Sequence, residues 1–79
     1  MLKGTRDAVL KRVQPISIHG QLSLEIVFTH VDDPEEQLHA ARVGPEAIVG
    51  GSLEAGDQVQ LDYLVGVVVK VTRLGHIEK

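Results

Sequence analysis

The sequence predicts a single, mainly β domain: a small five-stranded sheet bent on itself into a barrel, with one short helix. Three observations carry that expectation. Residues 22–29 and 58–65 alternate apolar with polar side chains, the period of two that a half-buried strand requires. The segment 65–71 is crowded with valines, whose branched side chains suit a pleated surface better than a helix. The 79 residues, read as one domain over 1–79, leave no length for a second.

The elements follow in order. Residues 5–14 have two readings: Val9, Leu10 and Val13 make a helical stripe, whereas Val9, Lys11 and Val13 alternate about Ala8, Leu10 and Arg12. A strand is preferred, because Pro15 to Gln21 then joins two strands of similar length as a hairpin. The second strand is the clearest, with Leu22, Leu24, Ile26 and Phe28 facing one way and Ser23, Glu25, Val27 and Thr29 the other. A helix is expected over residues 34–43. Asp33 can cap its first amides, Pro34 suits the first position, Glu35 and Glu36 complement the helix dipole, Leu38 and Ala41 face inward, and Gly44-Pro45 ends it.

Residues 46–50 form a further short strand, and Gly50-Gly51-Ser52 a turn or flexible loop. Leu53 to Asp57, LEAGD, is the turn that launches the next strand, on which Val59, Leu61, Tyr63 and Val65 share a face. Gly66 is either a tight turn between two strands or a bulge in one. Beyond it, Val67, Val69 and Val71 lie opposite Val68, Lys70 and Thr72.

The pattern L-x-x-G-D-x-V-x-L-x-Y over Leu53 to Tyr63, followed by a glycine and a valine-rich strand up to Leu74, resembles small bacterial OB-like β-barrel domains. The resemblance implies a small OB-like barrel with one helix. One branch of such domains consists of metal carriers that surround a soft ion with methionine, histidine and an aromatic ring. Here the only methionine is Met1 and tryptophan is absent. The four histidines, His19, His30, His39 and His76, include no pair three or four residues apart, and only His30, Asp32, Asp33 and His39 make a local cluster. No cofactor is expected, and metal binding at that cluster stands only as the last alternative, against loop, cap and surface roles for the same residues.

Composition narrows the function further. The absence of cysteine excludes disulfides, thiolate metal sites and thiol nucleophiles. Lys3, Arg6, Asp7, Lys11 and Arg12 interrupt the N-terminal stretch, so neither a signal peptide nor a membrane span is expected and the expected location is cytoplasmic. No glycine-flanked serine elbow, phosphate loop or partnered histidine supports catalysis, so the chain is read as a non-enzyme.

Two binding readings remain. Val27 and Val31 on the polar face of the second strand, with Leu64 and Val68 on the outer faces of the last two, leave apolar side chains without a place in one core; Val27, Leu64 and Val68 above all mark a contact with a protein partner or a second copy. The other explanation is that the predicted helix covers them. Alternatively, Arg6, Lys11 and Arg12 on the first strand and Lys70 and Arg73 on the last would form one basic patch for single-stranded nucleic acid, if those strands are neighbours as in a closed barrel. Phe28 and Tyr63, the only aromatics besides histidine, fall on apolar faces, where packing competes with base stacking.

Overall fold

The computed structural model describes residues 3–76, so Met1 lies outside the described residues. The chain forms a six-stranded sheet of order β3-β2-β1-β5-β6-β4. Its strands are β1 (Lys3–Ile18), β2 (Gln21–His30), β3 (His39–Val43), β4 (Ile48–Val49), β5 (Asp57–Leu64) and β6 (Val67–His76), with a single 3-10 turn at Pro45–Ala47. All neighbours are antiparallel except β4, which runs parallel to β6. The mainly β expectation holds. The sheet has six strands rather than five, however, and it is not closed: its edge strands β3 and β4 share no ladder and are joined only by the chain through Gly44 and the 3-10 turn.

β1 resolves as strand throughout and serves two partners. Residues 8–18 pair with β2 and residues 3–9 with β5, so the two ladders overlap only at Ala8 and Val9. Between Leu10 and Arg12 the register slips, leaving Lys11 as the extra residue of a bulge. Ala8 and Leu10 are therefore buried, and Val13 packs against the same core although it is three residues further on. The spacing of two followed by three explains why this segment reads equally well as strand and as helix.

β6 carries two more bulges, which skip Val69 and Leu74. The first one overturns the expectation that Val67, Val69 and Val71 share a face. Val71 is fully buried and Val68 packs against the core, while Val67 and Val69 are exposed. Val65 likewise leaves the face of Val59 and Leu61, because it lies in the turn after β5 instead of on the strand. Each extra residue bends its strand, and together they curl the sheet around Ala8, Leu10, Ile26, Phe28, Val43, Leu53, Val59, Leu61 and Val71.

The helix expected over residues 34–43 is not formed. Asp33 does accept from the amides of Glu35 and Gln37, at 3.0 and 3.1 Å, as a cap would. The turn then stops at Glu36, whose φ is +52°, and residues 39–43 become β3. The physical reason is tertiary. β2 offers a free edge, and pairing Leu24–Phe28 with His39–Val43 satisfies a row of backbone groups that a short helix would have left unpaired on the sheet. Of the expected strand over 46–50, only Ile48–Val49 is extended, after the 3-10 turn.

Candidate interaction surfaces

β5 and β6 are joined by Val65-Gly66, with φ +52° and +79°, the two positive values of a type I′ hairpin turn. Gly66 takes this geometry without cost, but Val65 is β-branched and sits in a region that such residues avoid. Around it the hairpin tip is apolar and open: Val65 is 65% exposed and Val67 61%, with Leu64 and Val69 also exposed. Of the apolar residues the sequence marks as out of place, Leu64 belongs to this tip and the exposed Val31 to the turn after β2. Val68 lies on the inward side against the core, and Val27 is half-buried between Arg12 of β1 and Ala40 of β3. The helix that was the alternative cover for them is absent.

A second surface lies across the sheet from the tip. The bulge at Lys11 presents Lys11 and Arg12 side by side on the margin of a groove of about 870 Å³. Val13, Leu24, Ile48 and the buried Leu53 supply its apolar lining, and Ser52 and Glu54 line it from the loop before β5. Lys11 and Arg12 form no ion pair with any described residue, and Arg12 donates only to Gln14.

The third candidate is a ring cluster that linear spacing hides. His30 and His39 have ring centroids 4.7 Å apart, His39 stacks on Phe28 at 5.7 Å, and His30 Nε2 is hydrogen-bonded to the Tyr63 hydroxyl at 3.0 Å. Arg6 and Gly4 complete the notch. Burial lowers the pKa of His30, and the positive Arg6 and the neighbouring His39 lower it further against the pull of Asp32 and Asp33. Burial also raises the pKa of Tyr63, with Arg6 opposing. His30 is therefore neutral near pH 7, suited to hydrogen bonding.

The local cluster His30, Asp32, Asp33 and His39 is brought together only in part. The Asp32 carboxylate is held by Arg6 at 2.8 Å and Asp33 by its own turn amides. Among the described residues, no three metal-ligating side chains converge.

The basic residues do not assemble into one patch. β5 lies between β1 and β6, so the first and last strands are not neighbours. Arg6 pairs with Asp32, Lys70 stands opposite Asp62 in register, and Arg73 Nε donates to Asp57 at 3.0 Å. Asp57 is fully buried and also accepts from His76 Nδ1 at 2.8 Å and from the Glu54 amide at 2.9 Å. Burial is the largest influence on its pKa and acts upward, yet the hydrogen bonds from Arg73, His76 and Glu54 together hold it below the ordinary carboxylate range. Arg73 is thus a structural cation. Asp57 had a signal in the sequence, since it is in phase with Val59 and Leu61 at a position that should be apolar.

Comparison with known proteins finds no matching family model, no matching curated protein and no matching solved structure. No helix among the described residues is long and apolar enough to cross a membrane.

Proposed function

We propose that this chain is a non-enzymatic binding and assembly module of OB-like build, acting through protein contact. The observation that carries the reading is the β5–β6 tip, where an exposed valine occupies a left-handed turn position beside three further exposed apolar residues. Asparagine or aspartate would make the same turn at lower cost and with better solvation, so the valine is unexplained by the fold. Strained residues retained at an exposed apolar surface are characteristic of contact sites. The OB-like assignment is supported by the order β3-β2-β1-β5-β6 and by the chain leaving β3 at one edge to pair, as β4, alongside β6 at the other.

The test compares the wild-type chain with the double variant Val65→Asn, Val67→Thr as bait in a native extract. Partners retained by the wild type and lost by the folded variant are the expected result. An identical set of retained proteins on both would remove the hairpin from the function.

Binding of single-stranded nucleic acid is the second reading, and one observation favours it. Half-buried His39 and Tyr63 flank a notch whose rim carries Arg6, a stacking platform with one cation beside it. A titration with a short oligonucleotide at low salt should then shift the resonances of Arg6, His39 and Tyr63, and do so no longer in Arg6→Glu. An unmoved spectrum removes this reading.

A further inference from the structure

The connection between β2 and β3 has the opposite character to the groove at the Lys11 bulge. It runs from Val31 to Leu38 and presents Asp32, Asp33, Glu35 and Glu36 between two apolar ends. Val31 is 55% exposed and Leu38 67%. Glu35 and Glu36 form no ion pair with any described residue, and Asp32 remains largely exposed even in its pair with Arg6. The groove matches this segment in kind: an apolar lining for the two ends, and two consecutive cations on its margin for the carboxylates between them. One carboxylate, Glu54, also lines the groove, against the two cations.

The two surfaces cannot meet within one molecule. Leu24 in the groove and Val31 at the start of the loop are separated by seven residues of strand, about 23 Å at the rise of an extended chain. We infer that a second copy of this chain docks its Val31–Leu38 loop into the groove lined by Val13, Leu24, Ile48 and Leu53, with Glu35 and Glu36 facing Lys11 and Arg12. Made once between two copies the contact is heterologous, and repetition gives a ring or an open chain; made reciprocally about a two-fold axis it closes a dimer. The bulge then has a purpose: an extra residue in β1 turns two cations to one margin, which regular alternation would have sent to opposite faces. The contact uses surfaces separate from the β5–β6 tip, so its failure leaves the hairpin reading standing.

Sedimentation velocity on the full chain tests the inference. The wild type should associate with rising concentration and dissociate as salt increases, since exposed charges at the contact are screened. The double variants Lys11→Glu, Arg12→Glu and Glu35→Lys, Glu36→Lys should each associate roughly tenfold or more weakly alone. Mixed together they should associate again, because each then meets an opposite charge on the other. Leu38→Ser, an exposed position whose replacement leaves the fold intact, should weaken association without altering its salt dependence, and Val65→Asn should leave it unchanged. A wild type that stays monomeric at high concentration overturns the inference, even if the groove binds some other peptide. So does association that ignores both charge reversals, or a mixture of the two that fails to associate.

Discussion

The two tight hairpins share one backbone and differ in what they show to solvent. His19-Gly20 turns at φ +52° and +80°, Val65-Gly66 at +52° and +79°. The first turn carries an imidazole, a residue type that tolerates the left-handed region, and lies between Ile18 and Gln21, so that its apolar neighbours Ile18 and Leu22 are exposed but the turn residue itself is polar. The second carries a valine between Leu64 and Val67. Since the geometry is the same, the turn itself does not require an apolar residue. The comparison separates what folding asks of a hairpin from what the β5–β6 tip adds to it.

The largest effect should come from releasing the base of the second hairpin. Asp57→Ala would leave Arg73, His76 and the Glu54 amide around an empty, buried position, with a loss of about 3–5 kcal/mol by denaturant unfolding. A loss below about 1 kcal/mol would mean that this hairpin is not held from its base, and the contrast between the two turns would rest on the tip residues alone.

Exchanging the turn residues is the direct test of the contrast. Val65→Asn should stabilise the chain by about 1 kcal/mol, because asparagine enters the left-handed region more readily. His19→Val should destabilise it by about the same amount. Opposite signs sharpen the comparison; equal signs would show that the flanking strands, not the turn residue, set the cost.

Acid should act in two stages. The folded pKa of His30 is lowered, so the unfolded chain binds its proton first, and stability declines as the pH falls from about 6.5 toward the lower folded value. The folded pKa of Asp57 is also lowered, so its contribution is complete above its ordinary value of 3.8 and is lost as the pH falls through the folded one. Unfolding curves for His30→Asn should lack the upper stage and keep the lower. The smallest effect belongs to Tyr63→Phe, which leaves His30 Nε2 without its hydroxyl partner next to the tip and should cost about 0.5 kcal/mol, the low end for a partly exposed hydrogen bond.

Much of this fold is legible in the sequence. Alternation places Ile26, Phe28, Val59 and Leu61 inside, Gly56 turns where a turn is expected, and Asp33 caps a turn; Gly66, open between turn and bulge in the sequence, becomes the turn, and the connection expected over Pro15–Gln21 narrows to His19-Gly20. Alternation failed where a bulge shifted the phase, at Lys11, Val69 and Leu74. A bulge has no composition of its own; it exists because two strands of unequal path length must stay paired. The helix over residues 34–43 failed for a related reason, since its local signals were sound and the vacant edge of β2 outweighed them. Of the candidate sites, Leu64 was legible as an apolar residue out of place. The groove and the ring cluster were not, because Lys11 and Leu53, or His30, His39 and Tyr63, are far apart in sequence and are joined only by strand pairing.

By itself the sequence determined the period of the strands, the position of the turns and the excess of apolar side chains over what one small core can hold. These are local quantities, set by backbone sterics and by the alternation of side chains along an extended chain. The tertiary structure decided which strands became neighbours, and hence that β5 separates the basic residues of β1 from those of β6. It also decided that Asp57 binds Arg73 and His76 in the interior. Pairing and burial depend on the whole sheet, where hydrogen bonding along a free edge and desolvation of a carboxylate outweigh the preferences of any short segment.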